Sequence, residues 1–196
     1  MSQGPRRRLP QWMRWLHIYL SMIAFGATLL FAVTGLTLNH ADWFESAEPS
    51  VRSIEGELAP AMLQGDVDKL AVAEQLRATH RLRGTVKEFA VDDAECFVLF
   101  KGPGYSADVV VDRRAGSYTV EESRRSVIAI LDDLHKGRDC GDWWSFVIDV
   151  AAVLLTLLSI TGLWLLFYLK KRRRNGLIVG FVGGAFVVIS YVFGVR

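Results

Sequence analysis

The sequence predicts a helical membrane protein: three transmembrane helices, with a small α+β domain inserted outside the cytoplasm between the first and second. Three observations carry this. Three apolar runs are long enough to cross a hydrocarbon core. Charge is sorted along the chain. The stretch between the first two runs has the alternating, turn-punctuated pattern of a folded domain.

The apolar runs are Leu16 to Leu38, Phe146 to Leu169 and Leu177 to Val195, and none contains proline. A bilayer core of about 30 Å needs roughly 20 helical residues. Backbone groups in lipid must be satisfied internally, so these runs are expected as helices. The expected segments are a basic N-terminus (1–15), helix 1 (16–39), the inserted domain (40–142), helix 2 (143–169), a basic turn (170–176) and helix 3 (177–196). Helix 1 is too long for a signal peptide, and no small-x-small site follows it, so a retained anchor is expected.

All 21 acidic residues lie between Asp42 and Asp149. Arg6–Arg8 precede helix 1 and Lys170–Arg174 follow helix 2; both clusters belong on the cytoplasmic side. The N-terminus is then inside, the domain outside, the basic turn inside and the C-terminus outside, with Arg196 a mild exception. Trp12, Trp15, Trp164 and Tyr168 fit one interface, and Trp43, Trp143 and Trp144 the other. Residues 42–142 hold 13 basic and 20 acidic residues, a formal −7, which argues against nucleic-acid binding.

Within the domain, Asp66 to Leu76 reads as an amphipathic helix closed by Gly84. Val86 to Val91 alternates and reads as a strand. Asp92-Asp93 is a turn before the apolar run Cys96 to Phe100. Gly102-Pro103-Gly104 is a second turn. Ala107 to Val111 is a third strand, Asp112 to Gly116 a turn, and Ser117 to Val120 a fourth strand. A second helix is expected from Glu121 through Leu134. Helix, meander, helix is a small α+β unit. Cys96 and Cys140 fall in a compartment that permits a disulfide, but a strand centre and a membrane-proximal loop favour free thiols.

Of four histidines, His80 lies in a charged run and reads as a solvated surface residue. His17, His40 and His135 each sit at a membrane boundary. His17 and His40 lie on one helix, roughly 35 Å apart at its usual rise, so they cannot share a centre. His135 ends the second domain helix and returns to the surface of His40. Imidazoles from two segments at one depth could take the two axial positions of a haem iron. Asp149, one turn inside helix 2, is a candidate second-shell acceptor for a histidine, or a helix N-terminal charge near water. Lys136 and Arg138 are candidates for haem propionates, or plain surface charges. The alternative for the histidines is hydrogen bonding to backbone or headgroups. The chain has no C-x-x-C-H, P-loop, G-x-G-x-x-G, H-E-x-x-H or G-x-S-x-G, so it shows no covalent haem, nucleotide or hydrolase motif.

Two small-residue patterns bear on packing. Gly176, Gly180 and Gly184 form a face on helix 3 that suits packing against helices 1 and 2, or dimerisation. V-T-G-L (Val33 to Leu36) in helix 1 recurs as I-T-G-L (Ile160 to Leu163) in helix 2, which suits close helix packing or an inverted pairing.

The run W-L-H-I-Y-L-S-M…F-A-V-T-G-L-T-L-N-H (Trp15 to His40) resembles the first helix of the PepSY-associated transmembrane family. L-H-K-G-R-D-C-G-D-W-W-S-F-V-I-D (Leu134 to Asp149), with S-I-T-G-L-W-L (Ser159 to Leu165), is similar to its later helix. The resemblance implies a PepSY-like inserted domain and the inner membrane of Gram-negative bacteria. Larger members include periplasmic ferric-siderophore reductases that carry haem between their helices, and His17, His40 and His135 match the family's histidines by position. This chain has three helices and one PepSY domain where those have more, so an inner haem at His17 would need a ligand from a partner or a second copy. The expected function is b-type haem electron transfer, as a ferric reductase or its electron-transfer subunit, serving a periplasmic ferric chelate or protein partner. Two other readings are a non-enzymatic PepSY module that binds a peptidase or uptake component, and a scaffold subunit of a larger membrane complex.

Overall fold

In this computed structural model the described residues are 5–43 and 48–194, with side chains from residue 11 onward. The side chains of Arg6–Arg8, and Arg196 altogether, lie outside them. The chain forms two compact units. One holds residues 30–148, and the other holds residues 1–29 and 149–196.

The first unit is built on a five-stranded antiparallel sheet in the order β1-β5-β4-β3-β2. The strands are β1 (Ser50–Glu57), β2 (Thr85–Val91), β3 (Glu95–Gly102), β4 (Tyr105–Asp112) and β5 (Ser117–Arg124). Their side chains alternate between two faces, as the period of a strand requires. Cys96, Val98 and Phe100 of β3, Ala107, Val109 and Val111 of β4, and Tyr118 and Val120 of β5 are buried on one face. They join Val72, Ala73 and Leu76 of α2 (Lys69–His80) in one core. Each large apolar side chain withdrawn from water there contributes about 1.5–3 kcal/mol.

The predicted helix, turns and strands appear, with shifted ends. Helix α2 starts at Lys69 rather than Asp66, because Asp68 is the N-cap, accepting from the N–H of Ala71 at 3.0 Å. It ends at Arg81 in the left-handed conformation (φ 55°), not at Gly84, which instead turns the chain into β2. Residues Pro103-Gly104 form the β3–β4 loop, since Gly102 pairs with Tyr105.

Two expectations are corrected. Strand β1 was not foreseen: its sequence S-V-R-S-I-E-G-E is polar, and only Ile54 packs on the core, so edge pairing with β5 decides its conformation. The second helix does not begin at Glu121. Residues 121–124 complete β5, where Glu122 is buried and paired with Arg124. Helix α3 (Val127–Lys136) starts after Ser126, whose hydroxyl accepts from the Ala129 N–H, and stops at Gly137 (φ 67°). Cys96, buried, and Cys140, half-buried, are free thiols. Burial pushes both thiols up, with Asp133 and Asp139 adding to the effect at Cys140.

The second unit is helical. Helices α1 (Pro5–Asn39), α4 (Gly141–Tyr168) and α5 (Arg173–Gly194) are long and apolar enough to cross a membrane. Large apolar side chains are exposed along all three, which suits a bilayer as their solvent. The glycine face of α5 is not packed as expected. Gly176 lies against Leu166, but among the described residues nothing lies within 4 Å of where a Cβ would stand at Gly180, Gly183 or Gly184.

Candidate functional site

Two of the four histidines occupy matching seats. In the sheet-bearing unit, His135 near the end of α3 lies on the C-terminal part of α1. Its Nδ1 is 2.6 Å from the hydroxyl of Thr34, its ring meets Phe31 edge-on at 5.2 Å, and a Cβ on Gly35 would stand 3.4 Å from its Cε1. In the helical unit, Nδ1 of His17 is 2.8 Å from the hydroxyl of Thr161, and a Cβ on Gly162 would stand 3.2 Å from its Cε1. Each seat is thus a Thr-Gly pair: the hydroxyl meets the ring nitrogen and the glycine lies beside the ring, with less room to spare at Gly162 than at Gly35.

The hydroxyls also set the ring chemistry. Thr34 donates to the carbonyl of Leu30 at 2.6 Å, and Thr161 to that of Leu157 at 2.9 Å. A hydroxyl has one proton to give, so with that proton on the backbone its oxygen accepts from the imidazole. This network assigns Nδ1–H to each neutral ring and leaves the Nε2 lone pair free. Nε2 is a metal-ligating nitrogen, and a fixed Nδ1–H is the usual way such a ligand is oriented.

The His135 seat is braced on both sides. Thr37, one turn after Thr34, donates to Asp132 at 2.9 Å, so two threonines of α1 grip two residues of α3. The buried carboxylate of Asp133 accepts from the Gly104 N–H at 2.9 Å and pairs with Arg125, tying α3 to the β3–β4 loop. The indole of Trp144 donates to the Leu134 carbonyl at 2.8 Å.

The other predicted residues are placed differently. His40 follows the end of α1 and stacks on Trp43, ring centroids 3.9 Å apart. Its ring shares no hydrogen bond or ring contact with that of His135 among the described residues. Asp149 is exposed and makes no hydrogen bond or ion pair among the described residues; α4 begins at Gly141, so it lies about two turns in rather than one. The nitrogen acceptors are Thr34 and Thr161, where Asp149 was the expected one. Lys136 and Arg138 are exposed. His80 is half-buried rather than solvated, with Nε2 2.7 Å from the hydroxyl of Tyr118. Among the described residues, no three His, Cys, Asp or Glu side chains gather as a metal cluster. One or two axial imidazoles do not require such a cluster.

Sequence reasoning missed Thr34, Gly35, Thr161 and Gly162 as site residues. The repeated Thr-Gly pair was their signal, but it was read as helix packing.

These features define a membrane protein with a small antiparallel α+β domain and histidines seated at its helices. The chain belongs to the family described as Putative PepSY_TM-like, which it matches over residues 11–196. No curated protein and no solved structure matches it.

Proposed function

We propose that this protein is a b-type haem electron-transfer protein of the bacterial inner membrane. In this reading its N-terminus is cytoplasmic, its sheet domain is periplasmic, and it supports reduction of ferric chelates or other metal complexes there. The observation that carries the reading is the pair of Thr-Gly seats, each of which holds an imidazole by Nδ1 and leaves Nε2 free to ligate.

The residues fit the group. His135 and His17 would supply oriented imidazole nitrogen beside glycine, and His40, which stacks on Trp43, would be a further candidate imidazole. Lys136 and Arg138, exposed beside His135, are the cations suited to propionates. Bound haem supplies a one-electron change of iron valence, so no side chain needs to move a proton on a substrate. The chain's own work is to hold the ring nitrogens: Thr34 and Thr161 fix the tautomer, and Thr37 and Asp133 hold α3 in place.

The test is a reduced-minus-oxidised visible spectrum of the detergent-purified protein from haem-replete cells, with the haem-to-protein ratio. A b-type spectrum lost in His135→Ala supports the reading; a colourless, folded protein overturns it.

A second reading, a membrane-anchored binding module, is favoured by the open face of the sheet. Glu55, Glu57, Glu95 and Asp112 line a depression of about 590 Å³ there. Such a surface suits a basic segment of a protein partner. Capture of a cationic peptide by the full-length colourless protein, abolished by charge-neutral variants of these four residues, would favour it.

A further inference from the structure

The domain carries a formal −7, yet one part of its surface has the opposite character. Two depressions of about 400 and 260 Å³ adjoin, sharing Gly102, Tyr105, Arg125 and Asp139. Five cations line them: Arg83, Arg124 and Arg125 in the larger, and Lys101, Arg125 and Arg138 in the smaller. Asp139 is the one carboxylate in either lining, and Lys87 already holds it at 3.1 Å.

Internal pairing accounts for two of the five. Arg124 is tied to Glu122, and Arg125 to Asp133. Arg83, Lys101 and Arg138 have no ion pair or side-chain hydrogen bond among the described residues. A domain with an excess of carboxylates thus leaves three cations un-neutralised around one hollow. Like charges held together with no partner repel one another, and an anion between them relieves that cost.

Glycines form part of the wall beside Thr85, Pro103, Tyr105 and Ile130. Gly84 (φ 80°) and Gly104 (φ 62°) take a conformation that favours glycine, and Pro103 lies between Gly102 and Gly104 in the loop. The phenol of Tyr105 accepts from the Arg83 N–H at 3.3 Å, and burial pushes its pKa up, so it stays a neutral group at the base of the cleft.

We propose that this cleft binds a small anion through its carboxylate or phosphoryl oxygens. Guanidinium forks match the planar oxygen pairs of such groups, and charge-assisted bonds to them are the strong class of hydrogen bond. Two sources share this chemistry. A soluble anion can enter from solvent. A lipid headgroup is equally at hand, because Cys140 and Gly141 line the cleft and Gly141 is the first residue of the membrane-length helix α4. This cleft takes Arg138 and leaves Lys136 as the cation for a haem propionate.

The test uses the full-length protein in detergent and in nanodiscs. Citrate and inorganic phosphate are titrated by calorimetry. Short-chain phosphatidylglycerol, with phosphatidylcholine as the control, is titrated the same way. The variants are Arg83→Gln, Arg138→Gln and the double, with Arg114→Gln in the β4–β5 turn as the charge control. Expected is saturable binding with Kd raised about tenfold per guanidinium removed from the cleft and unchanged in the control, since one strong contact is worth about a factor of ten. Saturation by citrate or phosphate, lost in the double variant, assigns a soluble anion. Saturation by phosphatidylglycerol alone, lost in the same variant, assigns a headgroup. No saturable binding of any probe, or binding that the double variant leaves intact, overturns the proposal. Near-ultraviolet circular dichroism shows that the variants are folded.

Discussion

The Nδ1 of His135 and the hydroxyl of Thr34 meet at 2.6 Å across 101 residues of sequence. The same hydroxyl is committed as a donor to Leu30, so the contact specifies a tautomer as well as a position. Replacing Thr34 by valine keeps the shape and removes the acceptor. We expect a loss of about 1–3 kcal/mol of stability, the cost of an unmet buried polar group, with serine restoring most of it. The discriminating measurement is the ¹⁵N shift pair of His135 in the haem-free protein. The wild type and Thr34→Ser should show Nδ1–H, and Thr34→Val a mixture. An unaltered tautomer in the valine variant would remove Thr34 from its positioning role, whatever the haem content.

The two seats differ in tightness, which separates two otherwise similar substitutions. Alanine in place of a helical glycine gains about 0.8–1 kcal/mol in helix propensity. At Gly35 the new Cβ sits 3.4 Å from the His135 ring, an ordinary contact, and that gain should survive. At Gly162 the distance to His17 is 3.2 Å, so the ring has to yield. Thermal unfolding should therefore rank Gly35→Ala as the more stable variant. The reverse order would mean that the His17 seat is the looser one.

Glu122 makes acid stability testable. Burial raises the cost of its charge, but the hydrogen bond and charge of Arg124 (2.7 Å), with the nearby Tyr105 phenol, outweigh this and hold the carboxyl below the ordinary range. A depressed folded pKa contributes stability that is present above the unfolded value of about 4.3 and is lost as pH falls through the folded value. The stability difference between wild type and Glu122→Gln should thus be largest near neutrality and shrink below about pH 4. A gap that stays constant into acid would show that the ion pair contributes nothing through its charge.

Helix α5 offers a contrast within one glycine face. Leu166 already occupies the space beside Gly176, whereas Gly180 faces open space. Gly176→Leu should destabilise the helical unit by about 1–3 kcal/mol through overpacking. Gly180→Leu should leave the unfolding midpoint of the monomer unchanged or slightly raised. If Gly180→Leu instead abolishes an oligomer seen by light scattering in detergent, that face is an interface between chains.

Some of this was legible in the residues and some was not, and the division has a physical basis. A spanning helix satisfies its own backbone and needs about 20 apolar residues in a row, so α1, α4 and α5 are written locally. The alternation of β2, the apolar runs in β3 and β4, and the turn at Gly102-Pro103-Gly104 are local as well. Strand β1 was not legible, because a polar edge strand takes its conformation from the neighbour it pairs with. Residues 121–124 read as helix because Glu121 suits a helix start, and only pairing with β4 and the Arg124 partner make Glu122 an inward-facing strand residue. The candidate site divides the same way. The sequence by itself determined a membrane protein with a small α+β domain and picked out His17, His40 and His135 by their places at the span ends. Only the tertiary structure decided that Thr34 and Thr161 hold two of them, that His40 turns to Trp43, and that unpaired arginines gather at Gly102. The pairings of Thr34 with His135 and of Thr161 with His17 join segments far apart in the chain, and no local periodicity encodes which hydroxyl will stand opposite which ring.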